Sequence, residues 1–172
     1  MKNPKEKGNN FERKVAKLLS DWAGSKFMRT PSSGAIHNFN DKRVVSDIVA
    51  PLSIGNFPFS IECKNVECSW EWSTLLEGTS MTLNAHWEQC KNDAQREGLV
   101  PLLIVTKNFR DIYTIMSLED WRKLPDVVIN QIPTLILTWN ETCIESVVFF
   151  KLKLLLDTMS LDELLSVELG TS

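Results

Sequence analysis

The chain has 172 residues, of which 43% are hydrophobic and 24% are charged, as in one ordinary folded domain. No apolar run approaches the roughly 20 residues that span a bilayer. The basic N-terminus is not followed by the apolar stretch of a secretory signal. We therefore expect neither a membrane span nor secretion, and we predict an intracellular protein.

Charge is divided unevenly along the chain, although the formal net charge is only −3. Residues 1–46 contain ten Lys or Arg against four Asp or Glu, whereas residues 47–172 contain nine against eighteen. Such asymmetry is typical of a basic binding face on an acidic body. A solvated basic N-terminal helix explains it equally well, so charge alone leaves nucleic-acid binding open.

The cysteines predict no metal centre of their own. They form no C-x-x-C pair, and only two histidines are available to complete a zinc site. In a reducing compartment we expect ordinary buried or half-buried thiols. The cysteines are Cys63, Cys68, Cys90 and Cys143.

The first predicted element is an amphipathic helix that begins at Asn9 or Asn10 and ends at Gly24. Its apolar residues fall at steps of four, three, one and three, as on one face of a helix. Residues 1–8 are expected to fray. The apolar residues of this stripe are Phe11, Val15, Leu18, Leu19 and Trp22.

A short strand is predicted at 26–30, followed by a loop rich in turn formers and charge. Two apolar strands at 44–52 and 57–64 are joined by Ser53-Ile54-Gly55-Asn56, a sequence typical of a hairpin turn. A polar helix at 86–97 and a buried strand at 99–106 follow. This order predicts a mixed α/β domain with a small central sheet flanked by helices.

The last third of the chain is harder to assign. Strands are predicted at 112–116 and 134–139, and capping-box patterns at Ser117 and Ser160 predict short helices. Residues 145–159 are too densely apolar to show a period, so both a helix and a strand stay open there.

Three charged residues interrupt the two strands of the predicted hairpin. Glu62 and Lys64 share one face of their strand, because side chains alternate along a strand. Asp47 lies in the other strand, where a carboxylate is costly unless it is used. Hairpin pairing places Asp47 opposite or diagonal to Glu62 and Lys64. We therefore predict that two carboxylates and a lysine converge at one edge of the sheet.

These side chains suit metal-assisted hydrolysis of a phosphodiester. Two carboxylates hold a hard cation such as Mg²⁺, with Mn²⁺ as a substitute, which polarises the phosphate and activates water. The carbonyl of Cys63 is a candidate further ligand. Lys64 can orient or deprotonate the attacking water, or balance charge in the transition state. Glu12 borders the helical stripe and can reach the metal or its water shell if the first helix packs on the hairpin.

The order of these residues resembles the PD-(D/E)xK nuclease superfamily and, within it, the archaeal-type Holliday-junction resolvases and related phage nucleases. The resemblance covers roughly residues 8–105. It comprises Glu12-Arg13, Arg29 before Thr30-Pro31-Ser32-Ser33-Gly34, Ser-Asp-Ile at 46–48 and Glu-Cys-Lys at 62–64.

The resemblance implies a restriction-endonuclease-like core, an Mg²⁺-dependent endonuclease activity on DNA, and the roles of individual residues. Asp47 and Glu62 would bind the metal, with Glu12 as an additional carboxylate, and Lys64 would be catalytic. Contacts to the scissile strand would come from Arg13, Arg29, Ser32 and Ser33.

The resolvase branch carries further implications. Its members are homodimers that cut paired strands of branched DNA, so the resemblance implies a homodimer that acts in DNA recombination. The location would be the cytoplasm, or the host-cell cytoplasm for a phage-encoded member. Residues 1–109 would form the nuclease core, and residues 110–172 a C-terminal extension packed on the same domain.

Two departures from the resolvase pattern keep alternatives open. The stretch between Arg29 and Asp47 is longer than in compact resolvases, and residues 110–172 match nothing in the pattern. A restriction-type or single-strand-specific nuclease on the same core is one alternative. A non-catalytic DNA-binding protein that kept the fold is another, although the intact Asp47, Glu62 and Lys64 argue against it.

Two further groups of residues have competing interpretations. Trp70 and Trp72 suit stacking on bases or a dimer face, but the core is favoured for them. Gln89 is interpreted as a helix-surface amide rather than a site residue, and His37 as a solvated loop side chain.

Overall fold

A computed structural model describes most of the chain, and its strands form one central sheet. The described residues are 3–30, 46–66, 81–106, 111–139 and 145–170. The seven strands found there are β1 Met28–Arg29, β2 Ile48–Val49, β3 Phe59–Asn65, β4 Val100–Thr106, β5 Ile112–Ser117, β6 Leu135–Trp139 and β7 Glu145–Lys151. Their order across the sheet is β1-β2-β3-β4-β5-β7-β6.

Helices cover both faces of this sheet. The described helices are α1 Pro4–Ala23, α2 Met81–Glu97, α3 Leu118–Trp121, α4 Asp126–Gln131, α5 Leu152–Thr158 and α6 Leu161–Leu165. Strands β3 and β4 are parallel, and every other neighbouring pair is antiparallel. The α/β fold class, with a mixed sheet and a restriction-endonuclease-like core, is therefore confirmed. None of the described helices combines the length and apolar character needed to cross a bilayer.

Helix α1 begins earlier than predicted, so the expectation that residues 1–8 fray is wrong for residues 4–8. Asn3 caps the helix by accepting the main-chain N–H of Lys5 at 3.1 Å, and Pro4 stands at the first helical position. The predicted end is confirmed, since Gly24 has a φ of 62° that favours glycine. The buried stripe of α1 packs against Ile61 and Cys63 of β3.

The predicted hairpin exists, but its first strand is shorter than expected. Strand β2 pairs with β3 at Ile48 and Ile61, and residues 52–54 form a 3-10 turn instead of extending the strand. Pro51, which has no N–H to donate, precedes that turn, and Gly55 closes it with a φ of 72°.

Helix α2 connects the parallel strands β3 and β4, and it covers the sheet face opposite α1. Trp87, Cys90 and Ala94 are buried, and Trp87 and Cys90 pack in one cluster with Leu103 and Val105 of β4. A parallel pair needs such a crossover because the second strand must begin at the same end as the first. The helix that follows the Glu-Cys-Lys strand therefore lies beside it.

The densely apolar run at 145–159 contains a strand followed by a helix, which explains why it shows no single period. Strand β7 ends at Lys151 and α5 begins at Leu152. The predicted capping box at Ser160 is confirmed at the start of α6. Strands β5, β7 and β6 continue the sheet beyond β4. The predicted division at residue 109 falls in 107–110, outside the described residues, and stays a prediction.

Candidate active site

Strand β3 presents different chemistry on its two faces. Ile61 and Cys63 belong to the apolar cluster under α1, whereas Glu62 and Lys64 lie on the face covered by α2. Glu62 is only 6% exposed. A carboxylate and an ammonium group therefore stand at a partly buried position on one face of the sheet, where unpaired charge is costly.

Asp47 immediately precedes β2 and is tied to β3 by two hydrogen bonds. Its main-chain N–H donates to the carbonyl of Ile61 at 2.9 Å. Its carboxylate oxygen Oδ2 accepts the main-chain N–H of Cys63 at 2.8 Å. The structure thus brings Asp47 to the residue that lies between Glu62 and Lys64.

Glu62 is held by donors from two elements. Nζ of Lys64 lies 2.5 Å from Oε1 of Glu62, and Nε2 of Gln89 on α2 donates to the same oxygen at 3.1 Å. Oε2 of Glu62 accepts no hydrogen bond from the described part of the chain, and neither does Oδ1 of Asp47. Among the residues that the structure describes, each carboxylate therefore keeps one oxygen for another ligand.

Glu12 lies on α1 and is paired with Arg29 of β1. Nε of Arg29 donates to Oε2 of Glu12, and Nη2 of Arg29 donates to Oδ1 of Asn9 at 2.7 Å. Both charged side chains are largely buried, so the pair joins α1 to the edge strand. Arg13 is exposed and donates to Oδ1 of Asn10 at 3.0 Å.

The structure does not describe every residue that is predicted to contact DNA. Ser32 and Ser33 fall outside the described residues, as do Trp70 and Trp72. The roles predicted for these residues, and for Arg13 and Arg29, stay predictions.

The clustering of negative charge changes the ionisation of Asp47. Burial and the neighbouring carboxylate of Glu62 raise the pKa of Asp47 from 3.8 to about 7, with a smaller contribution from Glu12. The N–H of Cys63 and the ammonium of Lys64 act in the opposite direction. Burial and neighbouring carboxylates disfavour the charged form of Asp47, and a bound cation would relieve this effect.

Lys64 is held in its charged form. Burial lowers the pKa of Lys64, but the hydrogen bond to Glu62 and the negative charges of Glu62 and Asp47 outweigh it and raise the pKa above 10.5. The direction of this shift favours the ammonium form of Lys64.

The donor set fits a hard cation bound by two carboxylates. Asp47 and Glu62 each offer a carboxylate oxygen that no described residue occupies, and Mg²⁺ is commonly held through one or two carboxylates and several waters. Glu12 is paired with Arg29, and its charge also contributes to the raised pKa of Asp47. Among the described residues, no group of three or more His, Cys, Asp or Glu side chains is arranged to hold a metal ion. The predicted roles of Asp47, Glu62 and Glu12 as metal ligands stay predictions.

Gln89 was not predicted as a site residue, yet it contacts Glu62 directly. His86 lies one helical turn before it, and burial together with the charge of Lys64 lowers the pKa of His86. The signal in the sequence that could have identified Gln89 is the order of the strands and the helix. The helix after a parallel strand packs back on the sheet, so a polar residue on its sheet-facing border reaches the strand's polar face.

The cysteines behave as predicted where they are described. Cys63 and Cys90 are buried free thiols on opposite faces of the sheet. Burial, followed by the charges of Asp47 and Glu62, raises the pKa of the Cys63 thiol well above 9.0. Cys68 and Cys143 lie outside the described residues.

One comparison with known proteins identifies a family. A family model described as "Phage putative PDDEXK endonuclease" matches residues 3–165. No curated protein and no solved structure matches the chain. The match extends past residue 105, so it includes the strands β5, β6 and β7 that continue the sheet.

Proposed function

Because the chain belongs to this phage PDDEXK endonuclease family, we propose that it is an Mg²⁺-dependent endonuclease that cuts branched DNA. Asp47, Glu62 and Lys64 form the proposed catalytic centre. The observation that carries the proposal is the link from Asp47 to Cys63, which joins one acidic residue to the strand bearing the Glu-Cys-Lys triplet.

Asp47 and Glu62 are the proposed metal ligands, with the Cys63 carbonyl as a third candidate. The N–H of Cys63 faces Asp47, and the N–H and carbonyl of one strand residue lie on the same edge. A bound Mg²⁺, or Mn²⁺ in its place, would supply Lewis acidity and an activated water for phosphodiester hydrolysis. Glu12 remains a proposed additional carboxylate at the border of the site.

Lys64 has a different proposed role. As a protonated donor beside Glu62, it orients the attacking water or stabilises negative charge that develops on the phosphate. Gln89 donates to the same oxygen of the Glu62 carboxylate from α2. These two donors fix the orientation of Glu62 before any substrate binds.

DNA would approach along the N-terminal part of α1. Arg13 is exposed there, and Arg29 lies between Glu12 and Asn9. Cationic side chains next to a cluster of carboxylates draw the phosphate backbone to the site. Ser32 and Ser33 are proposed to add contacts to the scissile strand.

The preference for branched DNA and the homodimer rest on the resemblance to the resolvase branch. Two identical sites related by a two-fold axis can cut two strands symmetrically, which is the chemistry that resolves a Holliday junction during recombination. A restriction-type or single-strand-specific nuclease would use the same catalytic centre with a different DNA-binding surface.

The decisive experiment measures cleavage of labelled four-way junction, flap, linear duplex and single-stranded DNA, with Mg²⁺, Mn²⁺ or EDTA. Wild type is compared with Lys64→Ala and with Lys153→Ala, which removes an exposed lysine paired with Asp157. Paired symmetric nicks on the junction alone, lost in Lys64→Ala only, would support a resolvase. Lys64-dependent cutting of other DNA would assign another nuclease branch.

Two further outcomes bear on the proposal. DNA binding without cleavage by wild type, under either metal, would replace it with a non-catalytic DNA-binding protein that kept the fold. Sedimentation velocity of the same samples tests the homodimer, and a monomer that cuts both strands of a junction would contradict that part.

A further inference from the structure

Asp47 lies at the end of the paired part of β2. Its position therefore does not depend on a long series of strand-pairing hydrogen bonds but on other contacts. Strand β2 has only two residues, and Asp47 precedes the first of them. Its N–H donates to the carbonyl of Ile61, and its own carbonyl accepts the N–H of Thr30 at 2.9 Å. The main chain of Asp47 is therefore bonded to β3 on one side and to the residue after β1 on the other.

The side chain of Thr30 adds a second bond to the same segment. Its hydroxyl Oγ1 donates to the carbonyl of Ser46 at 2.6 Å. Thr30 thus bonds to two consecutive carbonyls, those of Ser46 and Asp47. Two bonds to adjacent peptide units restrict both the position and the rotation of the chain at Asp47.

The side chain of Ser46 secures this segment from the face covered by α2. Its hydroxyl lies 2.9 Å from the hydroxyl of Ser60 on β3, and both serines are buried. The Ser46 hydroxyl also donates to Oε2 of Glu97, the last residue of α2, at 3.3 Å. Hydrogen bonds in buried surroundings are costly to leave unmade, so this contact strongly favours one arrangement.

We propose that Thr30 and Ser46 are positioning residues that hold Asp47 in the geometry its metal-binding role requires. The inference rests on the proposed function, because that function makes the place of the Asp47 carboxylate matter. Neither hydroxyl bonds to the carboxylate itself; Thr30 acts on the main chain, and Ser46 acts through Ser60 and Glu97. Hydrogen-bond partners behind a metal ligand commonly control metal affinity and activity in this way.

The surroundings of Ser46 allow a test by conservative replacement. A cavity of about 150 Å³ adjoins Ser46, between the β2–β3 hairpin and Leu99. Ser46→Thr keeps the hydroxyl and can place its extra methyl group in that space. Ser46→Ala removes the hydroxyl alone. For the other contact, Thr30→Val removes only the hydroxyl at nearly constant shape, and Thr30→Ser retains it.

The experiment measures three quantities on the full-length wild type and these four variants, with Ser53→Ala as an exposed serine control. Calorimetry gives the Kd for Mn²⁺, cleavage assays give kcat and KM for DNA, and hydrogen exchange of the metal-free protein gives the protection of the Asp47 amide. We expect Ser46→Ala and Thr30→Val to weaken Mn²⁺ binding by about tenfold to a hundredfold. We also expect lower kcat at unchanged KM and faster exchange at Asp47. Ser46→Thr, Thr30→Ser and Ser53→Ala should behave like wild type.

The three measurements separate this inference from the proposed function. Unchanged exchange at Asp47 and unchanged Mn²⁺ affinity in folded Ser46→Ala and Thr30→Val would overturn the positioning role, even if wild type cuts DNA. A wild type that neither binds Mn²⁺ nor cuts DNA would overturn the proposed function. Accelerated exchange in the same variants would then still support the restraint on Asp47. Loss of folding in Ser46→Ala together with failed rescue by Ser46→Thr would count against the inference.

Discussion

The carboxylate of Asp47 accepts the main-chain N–H of Cys63 at 2.8 Å, next to the point where β2 and β3 pair at Ile48 and Ile61. The main-chain N–H of Asp47 bonds to the carbonyl of Ile61, while the side chain of Asp47 here takes the place of a partner carbonyl for Cys63. The same bond sets one acidic residue against the strand that carries the other. The pairing of the two strands and the proposed metal site therefore both depend on this hydrogen bond.

The raised pKa of Asp47 predicts that the metal-free protein loses stability as pH rises. Its pKa goes from 3.8 to about 7 on folding, so the folded state binds more protons than the unfolded state between these values. The free energy of unfolding should therefore fall from about pH 4 to about pH 7. Asp47→Asn should lack this decline and exceed wild type at pH 8 by roughly 2 kcal/mol. Urea unfolding in EDTA measures the free energy of unfolding at each pH, and Asp21→Asn, at an exposed position, is the control. Equal slopes in wild type and Asp47→Asn would contradict the prediction.

Metal binding should depend on pH for the same reason. Below about pH 7 a proton must leave Asp47 before its carboxylate can bind a cation, so affinity for Mg²⁺ should rise as pH approaches 7 and then level off. Added Mg²⁺ should raise the Tm of wild type more at pH 8 than at pH 6, and should leave Asp47→Asn almost unchanged. A Tm increase of equal size in both proteins would show that the cation binds elsewhere.

Gln89 should matter for cleavage although it carries no charge. Its amide orients Glu62 by donating to Oε1, so Gln89→Ala should lower kcat by about tenfold while the protein stays folded. Gln95→Ala, at an exposed position on the same helix, is the matched control. Steady-state cleavage of the preferred DNA tests this prediction, and identical rates for the two variants would reduce Gln89 to a surface amide.

The Glu12–Arg29 pair should contribute to both stability and activity. Glu12→Gln removes the charge of Glu12 from its ion pair with the largely buried Arg29, which should cost about 1–3 kcal/mol of unfolding free energy. The substitution should also lower the rate of DNA cleavage, because the charge of Glu12 acts on the carboxylate of Asp47. Glu6→Gln changes an exposed glutamate of the same helix and should do neither. Full activity in Glu12→Gln would remove Glu12 from the proposed site and leave it a structural role.

Several features of the fold could be predicted from local signals. The stripe of α1 and its end at Gly24 follow from helical spacing and a left-handed glycine. The alternation along β3 placed Glu62 and Lys64 on one face, because a strand has a period of two. Helix α1 begins earlier than apolar periodicity predicts, because Asn3 caps it and Pro4 suits the first helical position, and apolar spacing reports neither.

Other features were decided by tertiary contacts. The run at 145–159 is a buried strand and then a helix, and its hydrophobicity reflects burial from both sides rather than a local preference. Gln89 meets Glu62 only because α2 crosses back over β3, a contact between residues 27 apart in the chain. Spacing within one element cannot encode such a meeting.

The residue types of the candidate site, their order and the faces of β3 on which Glu62 and Lys64 lie can be predicted from the sequence alone. Which of them are in contact follows only from the packing of the fold: Asp47 with Cys63, Glu62 with Lys64 and Gln89, and Glu12 with Arg29. The division has a physical cause. Periodicity is a property of one helix or strand, whereas burial, shared charge and a pKa near 7 arise only where separate elements pack together.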